Sequence, residues 1–180
     1  MNWKKLSSIK AFDLKLFYAR WDHYYNTKKD LELNAIVLEA PETTNVVAIT
    51  SDNEMVMVNQ FRFGSEKFSL EIPGGIVEEG ESIQLAAERE LREETGYTGD
   101  QWEYLGSVFS NPVIMDNRCH HYLLRDARKT HSIQEDSTEE IEVKLVPLDE
   151  IKSNLFGIVD HPHTISAICR AIPLDTAIRL

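Results

Sequence analysis

Gly75-Ile76-Val77-Glu78-Glu79-Gly80-Glu81 is followed, after seven residues, by Arg89-Glu90-Leu91-Arg92-Glu93-Glu94-Thr95-Gly96-Tyr97. Pro73-Gly74-Gly75 stops a preceding strand and permits tight backbone geometry. Residues 82–95 then read as a helix, with Ser82 as N-cap and Gly96 where a left-handed C-terminal residue belongs. At about 100° per residue, with Glu90 at zero, Glu94 falls at about +40° and Glu93 at about −60°. Ile83, Ala86 and Ala87 fall at about +20°, −40° and +60°, while Gln84, Glu88 and Arg92 take the opposite side. The three glutamates therefore continue an apolar, inward stripe. Like charges at i,i+4 cost about 0.2–0.5 kcal/mol even on an exposed helix. Drawn toward the protein body they cost more, unless protonated or paired. Hard divalent cations, which prefer oxygen ligands, relieve that cost. An ordinary surface helix with Glu–Arg pairs such as Glu88–Arg92 meets the same pattern, so the projection leaves both readings open.

On either side of this segment the pattern is that of strands. Phe12–Tyr25 and Leu31–Ala40 are rich in aromatic and aliphatic residues and flank the polar turn Asn26-Thr27-Lys28-Lys29-Asp30. They predict an N-terminal β-hairpin. Short strands are predicted at 46–50, 55–60 and 68–72, then at 102–109, 119–125 and 141–146. Two helices are predicted near 148–155 and 162–171, started by Pro147 and Pro162. Strands surrounding a helix without regular βαβ alternation predict an α+β chain with a mixed sheet and helices packed on it. Residues 1–41 read as a strand extension and residues 42–180 as the main domain.

Composition bounds the function. The chain has 180 residues, 42% hydrophobic and 27% charged, enough for a substantial core. Its net charge of −11 argues against a dedicated nucleic-acid or anionic-membrane binder. It leaves a phosphorylated small molecule open, since bound cations mask local negative charge. Cys119 and Cys169 have no paired spacing and read as reduced thiols, which points to a cytoplasmic location. No run of about 18 apolar residues predicts a membrane span, and Met1-Asn2-Trp3-Lys4-Lys5-Leu6 does not open a signal peptide.

Gly75, Glu81, Arg89, Glu90, Leu91, Glu93, Glu94 and Gly96 resemble the Nudix box, G-x5-E-x7-R-E-U-x-E-E-x-G-U, where U is a bulky apolar residue. Tyr97 stands at the last position, where Ile, Leu or Val is usual. At average residue frequencies a chance match of the other eight positions is on the order of 10⁻⁷. The resemblance implies an α/β/α sandwich with a mixed sheet, and a loop–helix–loop that holds divalent cations, Mg²⁺ with Mn²⁺ as a substitute. It implies Glu90 and Glu94 as metal ligands, with the backbone carbonyl of Gly74 as a further one. Glu93 is either another ligand or the general base. Arg89 orients the glutamates, and Glu81 supports the box. The implied chemistry is attack of water on a pyrophosphate bond.

Residues outside the box bear on the substrate. Glu71-Ile72-Pro73-Gly74-Gly75 resembles the E-[LI]-P-[AG]-G segment of ADP-ribose pyrophosphatases, and Gln60-Phe61-Arg62 their Q-[YF]-R, whose arginine faces substrate phosphate. Pro112 lies close to the proline that marks that group, although Asn111-Pro112-Val113-Ile114-Met115-Asp116 replaces the usual Ser-Pro-Gly. The N-terminal strands resemble the extension that group uses to dimerise and to help bind the base, so a homodimer is expected. ADP-ribose is thereby the favoured substrate, giving AMP and ribose 5-phosphate. A nucleotide-sugar, a dinucleotide, a nucleoside triphosphate or an RNA 5′ end are alternatives, and so is a regulator that binds a nucleotide without cutting it. In the ADP-ribose pyrophosphatase group the general base often comes from a late acidic loop, which here is Gln134–Glu140, with Glu139 the best candidate. His120 and His121, adjacent on a strand, point to opposite faces and do not share a metal. Arg118 either touches phosphate or pairs with Asp116, and His161-Pro162-His163 marks a helix start.

Overall fold

The computed structural model describes residues 1–134 and 140–174, and these divide into two compact units. Met1–Glu42 with Phe109–Arg118 form the first; Thr43–Val108 and the described residues from Cys119 onward form the second.

The first unit is built on a three-stranded antiparallel sheet of β1 (Trp3–Asp13), β2 (Tyr18–Asn26) and β3 (Leu31–Glu39), in that order. The predicted hairpin is its β2–β3 half. Asn26 closes the turn by accepting the Lys28 and Lys29 amides on its side-chain oxygen, each at 3.0 Å. The hairpin reading missed β1 and assigned Phe12 to the wrong strand. The reason is visible in the register, which shifts between Lys5 and Ser7 and again between Lys10 and Phe12. The apolar residues Trp3, Leu6, Ile9 and Phe12 recur every three positions, which departs from the two-residue alternation by which a strand is recognised, and the two bulges accommodate that spacing. Asp22 is buried at the centre of this sheet. Lys5 lies 2.8 Å from it, Arg20 3.2 Å, and the Ser8 hydroxyl donates to it at 2.5 Å. Burial pushes its carboxyl pKa up, but these hydrogen bonds prevail and hold it below the ordinary 3.8.

The second unit carries an eight-stranded mixed sheet. β4 (Thr43–Thr50), β5 (Glu54–Arg62), β10 (Arg118–Lys129) and β11 (Ile141–Pro147) run in the order β11-β5-β4-β10. β4 and β10 run parallel; β5 is antiparallel to β4 and β11. β6 (Lys67–Glu71) joins β5, β7 (Gly74–Ile76) joins β4, and β8 (Tyr97–Thr98) and β9 (Gln101–Phe109) join β10. Successive residues of β4 serve opposite layers. Val46 and Ala48 pack with Ala87 and Leu91 of helix α1 (Ile83–Thr95), whereas Val47 and Ile49 pack with Ile151 and Leu155 of α2 (Leu148–Ile158) and Ala167 and Ile168 of α3 (Pro162–Ala171). The result is the expected α/β/α sandwich. At about 25 cal/mol per Å² of apolar surface, these two cores drive its folding. Among the described residues no helix is long and apolar enough to cross a membrane.

Candidate metal and catalytic site

The quoted segment forms β7, a loop and α1. Ser82 accepts the Leu85 amide at 3.2 Å, and Gly96 adopts φ 76° while its amide returns to the Arg92 carbonyl at 2.9 Å. These caps fix the helix against β7, where two glycines admit close neighbours of different kinds. A Cβ on Gly75 would lie 2.4 Å from Oε1 and 2.5 Å from Cδ of Glu90, so the bare α-carbon is the floor on which that carboxylate rests. A Cβ on Gly74 would strike the Thr44 carbonyl oxygen at 2.2 Å, because β7 lies tight against β4. The Gly74 amide donates to Oε2 of Glu94 at 2.8 Å. Glu90 and Glu94 thus meet adjacent residues of one short strand.

Exposure follows the helical projection in part: the buried face (Ala86, Ala87, Leu91, Glu94, Thr95) centres nearer Glu94 than Glu90. Glu94 is buried (8%), and the side chains of Glu90 and Glu93 are 16% and 31% exposed. Arg89 binds them together. Its guanidinium grips Glu81 with two bonds of 3.0 and 3.1 Å, reaches Glu90 at 2.8 Å and Glu93 at 3.3 Å, and donates to the Ile76 carbonyl at 3.0 Å. Its charge is locked on, the Glu81 hydrogen bonds raising its pKa further and burial opposing them. The same bonds hold the Glu81 carboxyl below its ordinary value. Glu81 is therefore the anchor of the arginine, a firmer role than box support. Arg92 turns to Glu93 at 3.3 Å while Glu88 accepts from Gln84, so the anticipated Glu88–Arg92 pairing gives way to these two contacts.

Four carboxylates (Glu81, Glu90, Glu93, Glu94) face two guanidinium groups (Arg89, Arg92), an excess of two negative charges built wholly from oxygen donors. That donor set fits Mg²⁺ or Mn²⁺. Among the described residues, no three His, Cys, Asp or Glu side chains already stand in a cation-gripping arrangement. Glu94 is instead held by an amide and Glu90 by Arg89.

Beyond the helix, Arg62 at the end of β5 makes two 2.8 Å bonds to the buried Glu71, which His161 also approaches at 3.5 Å. Burial raises the Glu71 pKa, but Arg62 and the His161 charge outweigh it and leave the carboxyl below its ordinary value. This cluster joins residues up to 99 positions apart, and neither apolar periodicity nor the box announces it. His161 occupies the N-cap position of α3 ahead of Pro162 without a side-chain capping bond, so His161-Pro162-His163 marks the helix start as expected. His120 and His121 diverge as expected: His120 meets the Tyr104 hydroxyl at 2.8 Å, while His121 meets Asn45 at 2.8 Å. Within the first unit, Pro112 sits in the turn that Asn111 closes on Ile114, Asp116 pairs with Arg20 at 2.6 Å, and Arg118 lies over the Phe109 ring at 4.3 Å. Glu139 falls outside the described residues.

The NUDIX domain model matches residues 41–166, well over half of the chain. The methanol dehydrogenase activator of Bacillus methanolicus is 37% identical over 115 residues, covering 63% of this chain and 62% of that protein. The ADP-ribose pyrophosphatase of Bacillus subtilis (strain 168) is 33% identical over 115 residues, with the same coverage of 63% and 62%. The chain thus spans under two thirds of the length of both relatives. The crystal structure of an ADP compounds hydrolase superposes with a TM-score of 0.82 at 19% identity, covering 94% of this chain and 92% of that one, which establishes the likeness of fold.

Proposed function

The chain belongs to the NUDIX family, and from that premise we propose that it is a Mg²⁺-dependent hydrolase of the pyrophosphate bond in a nucleoside diphosphate linked to another group, with ADP-ribose the favoured substrate and AMP and ribose 5-phosphate the products. The observation that carries this reading is the seating of Glu90 on Gly75 and of Glu94 on the Gly74 amide, with Arg89 spanning Glu81, Glu90 and Glu93. Glu90, Glu94 and the Gly74 carbonyl would hold the cation. When bound, a divalent ion neutralises diphosphate oxygens and acidifies water. Arg89 keeps the carboxylates in register, and Glu93, more exposed than Glu90 and Glu94, accepts the proton of the attacking water, with Glu139 the other candidate base. Arg62, oriented by Glu71, binds substrate phosphate, and Pro112 shapes the substrate loop.

Likeness to an ADP-ribose pyrophosphatase supports the choice of substrate. A panel of ADP-ribose, nucleotide sugars, dinucleotides and nucleoside triphosphates, assayed with Mg²⁺ in H₂¹⁸O and read by product mass, tests it. Equal or faster turnover of another class would displace ADP-ribose. Likeness to the methanol dehydrogenase activator favours a second reading, activation of a dehydrogenase, tested by adding the purified chain to such an enzyme. We further propose a cytoplasmic homodimer, whose contact would cover the exposed Ile9, Phe12 and Ile36, which share one face of the first unit's sheet. Sedimentation at micromolar concentration tests that assembly.

A further inference from the structure

His121 lies fully buried on β10, among the α3-facing residues of the sheet. Its Nδ1 is 2.8 Å from Oδ1 of Asn45, and its Nε2 is 3.2 Å from Oγ of Ser166 on α3. Cys119 Sγ stands 3.9 Å from Nδ1. Burial, aided by the charges of Arg170, His163 and His120, pushes the imidazole pKa down to about 4. The ring is therefore neutral near pH 7, with one nitrogen donating and the other accepting. A carboxamide oxygen only accepts, so Nδ1 carries the proton toward Asn45 and the Ser166 hydroxyl donates to Nε2.

Asn45 stands next to the metal loop. It is the ladder partner of Gly74, and a Cβ on Gly74 would lie 2.6 Å from the Asn45 Cα and 2.7 Å from its Cβ. Nothing separates the two residues, so a displacement of Asn45 moves Gly74. The Gly74 amide in turn holds Glu94. A parallel tie runs from α3 to the same turn, where the Ile72 amide donates to the buried Thr164 hydroxyl at 3.3 Å. We propose that Ser166, His121 and Asn45 form a positioning relay through the sheet, by which α3 sets Gly74 and the Glu94 carboxylate for cation binding from the layer opposite α1.

This inference rests on the assignment of Glu94 and Gly74 as metal ligands. It is tested on the full chain with Mn²⁺ alone, by electron paramagnetic resonance without substrate, and by the ¹H–¹⁵N signal of the Gly74 amide. His121→Phe fills the volume and removes both hydrogen bonds, whereas His121→Gln can restore a donor to Asn45 and an acceptor for Ser166. Residues supporting metal ligands typically contribute about 10–100-fold in affinity. Mn²⁺ binding should weaken by that factor in His121→Phe and return to within about threefold in His121→Gln. The Gly74 amide should move upfield in the first variant only. Ile168→Val, a nearby core change that leaves the relay intact, should alter neither readout. Wild-type Mn²⁺ affinity and an unmoved Gly74 signal in folded His121→Phe would overturn the relay, as would equal losses in Ile168→Val. If His121→Phe fails to fold, Ser166→Ala decides by the same two readouts. If the wild-type chain binds no Mn²⁺, the metal assignment fails, and the Gly74 signal still decides whether the relay exists.

Discussion

The second unit keeps Val46, Val47, Met55, Met57, Leu91 and Leu123 out of water and gathers its carboxylates at the seam between β7 and α1. The first unit inverts this arrangement. Asp22 occupies its centre with Lys5, Ser8 and Arg20 around it, while Leu6, Ile9, Phe12, Leu33 and Ile36 face outward. The difference separates two uses of charge. Apolar burial stabilises the second unit, which can therefore tolerate an unfavourable cluster of carboxylates where chemistry requires one. In the first unit, ion pairs specify the pairing of β1 with β2, and removing one partner of such a buried cluster is strongly destabilising. Its apolar side chains remain available for association.

The largest expected effect breaks the seam. Glu94→Gln removes a charge from the proposed cation site but keeps the shape and can still accept the Gly74 amide. Several kcal/mol of charge stabilisation should vanish, which is on the order of 10³-fold in kcat. The circular dichroism spectrum and Tm should stay near wild type. Normal turnover of this variant would show that the carboxylates of the second unit are merely tolerated. Gly75→Ala is the next step down. Its methyl displaces the Glu90 carboxylate by about an ångström, and misplacement on that scale costs on the order of 10²-fold in rate. Steady-state assays across Mg²⁺ concentrations would read it, and an unaffected enzyme would mean that Glu90 need not rest on Gly75.

Asp22→Asn tests the first unit. Hydrogen bonds to a charged group contribute about 1.5–3 kcal/mol each, so hydrogen exchange in β1 and β2 should accelerate roughly tenfold or more while α1 keeps its protection. The wild-type pH dependence has a definite sign. Because the folded pKa of Asp22 lies below 3.8, its contribution is complete above that value and is lost as pH falls through the folded pKa. Protection of β1 should decay in that acid range, and the Asn variant should lack this decay. The smallest effect on stability belongs to Ile9→Ser. Ile9 is 67% exposed, and such surface changes stay within about ±0.5 kcal/mol. Sedimentation should nevertheless shift toward monomer. A large fall in Tm without a change in mass would mean that the outward residues serve the unit itself.

The two units also differ in how much of them could be read beforehand. In the second, Ser82, Gly96 and the 3.6-residue spacing of Ala86, Ala87 and Leu91 delimit α1, and the spacing of its glutamates carries the family resemblance. Pro162 marks the start of α3 in the same local way. These signals act over one or two helical turns. The bonds of Arg62 to Glu71, of Glu71 to His161 and of His121 to Asn45 are different in kind. They join residues 9, 90 and 76 positions apart that only tertiary folding brings together, and no local pattern marks them. In the first unit, β1 is a bulged strand whose apolar residues recur every three positions and so lack the alternation that would have revealed it. The Asp22 cluster was likewise hidden, because a lone acid in a strand ordinarily signals a solvated face.

The division of β4 between two layers has a genetic consequence. Its even-numbered residues Val46 and Ala48 belong to the α1 side and its odd-numbered residues Asn45, Val47 and Ile49 to the α3 side. Deleting a single codon within Val46–Ile49 would exchange those memberships for the rest of the strand, since a one-residue slip reverses every side chain. Substitutions there can be absorbed one at a time, but a change in length cannot. β4 is thus the segment in which lineages of this chain should accumulate replacements without insertions or deletions.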